Sequence, residues 1–537
     1  MKATSQWASL AMMFLFASAS MADAQSLIDP SFGTKGVATF KIQSMNDDVA
    51  QSIVQLPNGR ILIAGNTVDL MGNSSIGIIR LKPNGKIDRS FSDSGEELII
   101  SGSCSKVLVQ PDEKILIGGW ITQGTSKRLC VWRLNPDGTP DHTFGTNGFR
   151  SAEFGGNSSC NALALQPDGK ILVGGSDMNF YTCHSTLSIA RINTDGTLDN
   201  SFGMAGKLSV ALPNQSVDCP AILLPSNGKI IVAAKLDTNI NQLFSRSKFF
   251  SMRLNSDGSI DKSFAHDGIQ IQSNSNDDNF SSAAVLSDGS IILAGESEFN
   301  GFKSASVLCL FPDGNVNPNF GTNGWKHIDF FAGTPIITCM AVQQNDKVIL
   351  AGVADYPNQS HSIIATRITA QGSLDYSFGK QGIDSFVLTS PASPAGCNSL
   401  LIQDDGRILL AGFRMGDSNS FFVARLQNND QPVKNTKTES AASEDLIAEF
   451  SAFPNPMSYD PMIVSINLLQ PAQINLTVSD MSGKQMITPI VKNLNEGPNT
   501  VEINFPQGLD AGMYLCVLRA MEHTRIIKFE VKQQYQQ

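Results

Sequence analysis

Residues 160–206, CNALALQPDGKILVGGSDMNFYTCHSTLSIARINTDGTLDNSFGMAG, decide the fold, because something close to them recurs along most of the chain. The Phe of the D-x-S-F-G motif returns as Phe32, Phe91, Phe144, Phe202, Phe264, Phe320 and Phe378, at intervals of 59, 53, 58, 62, 56 and 58 residues. A polar turn followed by an apolar run also appears seven times, at 56–65, 110–119, 166–175, 225–234, 286–295, 343–352 and 403–412. Such a period signals an array of supersecondary units, each too small to bury its apolar face alone. In the quoted copy, Asn161–Leu165, Lys170–Val173 and Leu187–Ile192 read as strands, and a fourth follows Gly206. The turns between them, Gln166-Pro167-Asp168-Gly169 and Asn193-Thr194-Asp195-Gly196, carry the Asp-Gly steps that tolerate positive φ in tight hairpins. Four short antiparallel strands in about 40–60 residues make one propeller blade, so seven copies predict an all-β, seven-bladed β-propeller.

The ends of the array are offset in a way that predicts a closed ring. The chain opens on a bare fourth strand, Gly36–Ile42 after the S-F-G of Phe32, and the array ends on a third strand, Phe421–Leu426, with no S-F-G behind it. The N-terminal strand is expected to complete the last blade.

The bulk numbers set limits on function. A chain of 537 residues holds more than one core. With 39 basic against 49 acidic residues, the net charge of −10 offers no basic stripe for nucleic acid. Residues 1–24 read as a signal peptide: Lys2, an apolar core at Leu10–Phe16, and an A-x-A site at Ala22 and Ala24, with cleavage after Ala24. No later stretch approaches the ~18 continuous apolar residues of a membrane helix. Nine cysteines in an exported chain would suggest disulfides. However, Cys104, Cys160, Cys219 and Cys397 each precede by ten residues the Lys or Arg that opens the apolar run, with Cys339 on the same face. Equivalent positions in neighbouring repeats are expected to lie beyond the ~7 Å Cα separation a disulfide tolerates. They read as small packing residues.

R-L-N-x-D-G-x-x-D-x-S-F-G together with Q-P-D-G-K-I-L-V-G-G resembles the delta-60 repeat family of bacterial exported propeller-like proteins, over residues 26–428. The resemblance implies a propeller in an extracytoplasmic setting. Residues 429–447 are polar and read as a linker. The remainder, 448–537, alternates short apolar runs with the turns Asp480-Met481-Ser482-Gly483 and Asp510-Ala511-Gly512, and reads as a small Ig-like β-sandwich. Its F-P-N-P at 453–456, G-L-D-A-G-M-Y-L at 508–515 and terminal I-I-K-F-E-V-K resemble the C-terminal sorting domain of the type IX secretion system. That resemblance implies the secretion machinery as a partner, passage across the outer membrane, removal of the module, and release or attachment at the cell surface.

Motifs for chemistry are scarce. G-x-S-x-G, H-E-x-x-H and the P-loop are missing, and six scattered histidines lack metal-ligand spacing. No catalytic residue, metal ligand or cofactor is expected. The Asp-rich turns at 46–48 and 276–278 lack the D-x-D-x-D-G spacing of a calcium loop. Loops between second and third strands vary most and carry Trp120, Phe180, Tyr181, Phe299, Phe302 and Tyr356. Variable loops on a rigid scaffold are where specificity sits. The reading is a secreted or surface-associated monomer that binds a glycan or cell-surface protein. The rivals are a glycan-active hydrolase or lyase, and a structural surface-layer component.

One covariation inside the chain predicts structure. Arg80, Arg133, Arg191, Arg253 and Arg367 are followed eight residues later by Asp88, Asp141, Asp199, Asp261 and Asp375. In the fifth copy both charges vanish together, into Cys309 and Asn317. Buried ion pairs explain this, because stranding one partner costs roughly 3–5 kcal/mol. Arg425 has no such Asp after it, and ring closure would supply Asp29.

Overall fold

In a computed structural model the chain divides into two compact units, Met1–Lys434 and Asn435–Gln537. Residues 27–428 are described except 43–46, 93, 100–101, 125, 214, 239–245, 276, 300–301, 331–332, 357–360, 389–393 and 417. In the second unit 447–531 are described except 454–461, 469, 481–483, 506–508, 511 and 521–522. Ala22 and Ala24 lie outside the described residues, as does Asn46 of the 46–48 turn.

The described residues of the first unit form all-β, four-stranded antiparallel sheets. The quoted copy becomes Asn157–Leu165, Ile171–Met178, Ser185–Ile192 and Lys207–Val210, hydrogen-bonded in that order. Five further sheets repeat this sequential order. The sheet built on Ala395–Ile402, Ile408–Arg414 and Ser420–Leu426 takes its fourth strand from the chain's beginning, Val37–Phe40. There Val37 pairs with Ala424 and Phe40 with Phe421. Ile28 bridges Leu426 as Ile87 bridges Leu81 in the first complete copy, so the N-terminal segment occupies a copy's ordinary register.

The second strand of each sheet is apolar on both faces because neighbouring sheets cover both. Leu62 and Ala64 pack with Val107 and Ile115 of the following sheet. Ile61 and Ile63, pointing the other way, pack with Leu409, Ala411, Phe421 and Val423 of the last one. Alternation therefore persists as geometry while disappearing from the sequence pattern. Each buried aliphatic side chain contributes about 1.5–3 kcal/mol, and the cores run from sheet to sheet rather than to a common centre.

Every first strand carries a β-bulge at the same place. The register slips between Ala50 and Ser52, Cys104 and Lys106, Cys160 and Ala162, Asp218 and Ala221, Phe280 and Ser282, Ile337 and Cys339, and Cys397 and Ser399. A bulge re-aims one side chain, and here that residue is polar wherever it is single: Gln51, Ser105, Asn161, Ser281, Thr338 and Asn398. Ser105 donates to the Cys160 carbonyl and Thr338 to the Cys397 carbonyl, each in the next sheet. Asn398 does the same to Ala50, 2.9 Å away, so the last sheet treats the first as its successor.

The second unit holds two sheets, one of Ile447–Phe453, Met462–Leu468 and Gly497–Ile503, the other of Ile490–Leu494, Ala472–Asp480, Gly512–Ala520 and His523–Val531. Alternate residues Met462, Val464 and Ile466 on one sheet and Ile474, Leu476 and Val478 on the other share one core. Among the described residues, no helix is long and apolar enough to cross a membrane.

Candidate functional site

Two kinds of site arise from the repeat, at opposite ends of the strands. Antiparallel connection places the first-to-second and third-to-fourth turns at one end, and the second-to-third loops at the other.

At the turn end the conserved-looking polar letters of the motif meet. Arg191 Nε lies 2.7 Å from Asp199 Oδ2, and the same contact joins Arg80 to Asp88 (2.9 Å), Arg133 to Asp141 (2.7 Å), Arg253 to Asp261 (2.8 Å) and Arg367 to Asp375 (2.8 Å). Arg425 Nε lies 2.8 Å from Asp29 Oδ2, across 396 residues of sequence. A second cation, unread in the sequence, reaches the same carboxylate oxygen: Lys114, Lys170, Lys229 and Lys347 at 2.9–3.1 Å, Arg60 at 2.6 Å, and Arg407 at 3.4 Å from Asp29. These are the residues that open the apolar runs. Their recurrence was visible, but nothing in linear order joins them to an Asp 27–32 positions later or, for Arg407, to Asp29 at the chain's beginning.

The other carboxylate oxygen caps its own turn, accepting the backbone N–H and hydroxyl of Ser201 at 3.0 and 2.7 Å. Ser31, Ser90, Thr143, Ser263 and Ser377 repeat this. The pairing and the turn cap thus share one side chain. The guanidinium also lies over the S-F-G Phe, 4.7 Å from the ring centroid for Arg191 and Phe202, and donates from Nη1 into the next sheet's turn. Nη1 of Arg133 reaches the Thr194 carbonyl, and that of Arg425 reaches the Pro83 carbonyl at 2.7 Å. Gly196 lets this turn close: with φ +86° it brings its Cα against the Gly145 backbone, where a Cβ would meet the amide nitrogen at 2.3 Å. Burial raises the pKa of Asp141, Asp199, Asp261 and Asp375, but hydroxyl, amide and cation donors outweigh it and hold all four well below the usual carboxylate range. All three guanidinium nitrogens of each strand arginine and both oxygens of each clustered Asp have protein partners.

The fifth copy replaces the whole set, with Ser290, Cys309, Asn317 and Asn319 where others carry Lys, Arg, Asp and Ser. Asn317 Nδ2 lies 3.8 Å from Cys309 Sγ. Its seam with the sixth sheet is tied instead by Ser287, whose amide donates to Asp346 Oδ1 at 2.8 Å. Glu296 is buried at the same seam (5 % exposed), and burial pushes its carboxyl up to about 7 against bonds from the Ile337 amide and Asn279.

The loop end differs from copy to copy. Tyr181 is 97 % and Phe180 49 % exposed on the loop before Ser185–Ile192, and Leu70 and Met71 stand out on the equivalent loop of the first copy. Trp120 is half-buried under Lys127, whose Nζ sits 3.9 Å from the ring centroid, and Tyr356 packs against Gly333. The side chains of Phe299 and Phe302 lie outside the described residues. His361 Nδ1 lies 2.6 Å from Asp355 Oδ1. The acidic turns serve the backbone: Asp47 accepts from the Asn419 amide, and Asp278 from the Asn274 and Ser275 amides. Among the described residues, no three His, Cys, Asp or Glu gather as a metal site would require.

Residues 56–91, 110–144, 166–202, 226–264, 286–320 and 403–432 match the family described as "Domain of unknown function (DUF5122) beta-propeller". Residues 451–532 match the "Secretion system C-terminal sorting domain". No curated protein matches the chain. Among solved structures, polysaccharide lyase Uly1 is 11 % identical with TM-score 0.43, over 74 % of this chain and 93 % of its own. An ulvan lyase bound to a glucuronate–sulfated-rhamnose unit is 10 % identical with TM-score 0.43, over 70 % and 95 %. The Penicillium chrysogenum alpha-L-arabinanase complexed with arabinobiose is 12 % identical with TM-score 0.37, over 73 % and 99 %. Likeness at this level carries no functional argument.

Proposed function

We propose that this chain, delta-60 β-propeller repeats followed by a type IX sorting domain, is an exported binding module whose ligand meets the second-to-third-strand loops. The sorting domain indicates export to an extracellular or cell-surface location and engages the secretion machinery. In this reading residues 26–428 form a closed seven-bladed ring, 429–447 a linker, and 448–537 a removable Ig-like address. Cleavage after Ala24 starts the mature chain, which acts as a monomer.

The observation that carries the reading is the contrast between the two ends. The turn end is uniform, and its charges are consumed by one another, which supports a structural role for the six Arg–Asp pairs. The loop end is irregular and leaves Phe180 and Tyr181 in solvent, where aromatic side chains supply contact area at small entropic cost. A glycan or cell-surface protein is the ligand class such a surface suits. The test is a glycan array and a cell-surface pull-down with residues 26–428 and with Phe180→Ala/Tyr181→Ala. Binding that falls at least tenfold in the variant supports the site; equal binding by both sends the ligand elsewhere on the molecule.

A further inference from the structure

Export to an oxidising surface makes one buried pair of thiols chemically significant. At three seams the bulge residue bonds the carbonyl at the start of the next sheet's bulge, which brings neighbouring first strands close there. Thr338 bonds the Cys397 carbonyl just as Ser105 bonds that of Cys160. Cys104, Cys160 and Cys397 all sit at the start position, so successive copies do not bring them together. Cys339 is shifted by two, pairing with Ala351 where Cys397 pairs with Gly412. The bulge between Ile337 and Cys339 turns Cys339 to the face opposite Ile337, which packs toward the fifth sheet, and so carries it to the seam with the seventh. Cys339 and Cys397 are buried together in the core joining the sixth and seventh sheets, beside the Thr338 hydroxyl that bonds the Cys397 carbonyl. At the corresponding place in the second sheet stands Lys106, which carries no thiol. Both cysteines are buried free thiols in this structure, as packing residues would be.

We propose that Cys339 and Cys397 form a disulfide in the exported protein, stapling the sixth sheet to the one completed by the N-terminal strand. The step is thiol–disulfide exchange with a protein or glutathione disulfide of the exporting compartment. One cysteine thiolate attacks the acceptor's sulfur and expels a thiolate; the second cysteine, deprotonated, attacks the mixed disulfide and expels the other. Two electrons pass to the acceptor, which becomes two thiols and takes up the two protons. Exchange precedes burial, since both side chains are closed to solvent in the finished fold (6 % and 0 % exposed). The bond would link positions 58 residues apart and tie the sixth sheet to the one in which the N-terminal strand pairs with Ser420–Leu426.

The test uses the full exported chain, alkylated at harvest in denaturant without reductant and weighed intact. Two cysteines should escape alkylation, every cysteine should react after reduction, and tryptic peptides 327–347 and 381–407 should run as one linked species. Cys339→Ala should leave every remaining cysteine reactive, and reductant should lower the unfolding midpoint of the parent but not of this variant. Every cysteine reactive without reductant, or a link between any other two, overturns the proposal.

Discussion

Asp199 shows how a single residue can satisfy a turn and a seam together. It accepts from Ser201 with one oxygen and from Arg191 and Lys170 with the other, its side chain almost buried. Asp199→Asn strands two cations, and roughly 3–5 kcal/mol of stability should be lost, read by chemical denaturation. A loss within 0.5 kcal/mol or so, the ordinary range of surface changes, would refute the pairing. Because the folded carboxyl sits below its ordinary pKa of 3.8, its contribution is complete above that pH and drains away only as pH falls toward the folded value. Glu296 has the opposite sign. Its pKa rises from the ordinary 4.5 to about 7, so the folded state holds the proton more tightly and stability declines as pH climbs between those values. The decline amounts to about 3 kcal/mol at most. Glu296→Gln should flatten the stability profile across pH 5–8, and an unchanged slope would mean that another group titrates there.

At the scale of the element, the fifth copy is a natural experiment. Cys309→Arg alone buries an unpaired guanidinium and should destabilise the chain by several kcal/mol, while adding Asn317→Asp should recover most of that loss. Thermal unfolding of the two singles and the double measures the coupling, and independent effects would show that no clamp was rebuilt. The strands and their turns were legible because each copy repeats the same Asp-Gly punctuation and apolar run. The bulges were not, since Gln51 or Thr338 sits inside a strand that reads as continuous, and a slip of register leaves no mark in composition. The second cation of each cluster was equally hidden: Lys170 and Asp199 meet only after the second and third strands have turned back on one another. Spacing puts Cys339 on the face of the other cysteines, but the unmarked bulge after Ile337 turns it to the opposite one, toward the seventh sheet. Phe180 and Tyr181 could be named from sequence, whereas the exposure of Leu70 and Met71 and the burial of Trp120 under Lys127 could not.

For the whole molecule, truncation after Asn429 should leave the repeat array folded and soluble but undelivered to the surface, as judged by cell fractionation; normal surface display of that fragment would remove the sorting role. The central claim is that the N-terminal segment is the missing fourth strand of the last copy. Its register is specific. Ile28 stands to Leu426 as Ile87 stands to Leu81, and Asp29 to Arg425 as Asp88 to Arg80. In the first complete copy Arg80 and Asp88 are joined by seven intervening residues; placing an Asn-Gly turn after Asn428 and then continuing with Leu27 restores that count. The decisive measurement is the unfolding midpoint of such a permutant, residues 43–428 followed by Asn-Gly and 27–42, against residues 27–428 and against 43–428 alone. The account predicts that the permutant melts cooperatively within a few degrees of the parent while the bare deletion loses its last sheet. A permutant no more stable than the deletion would contradict it.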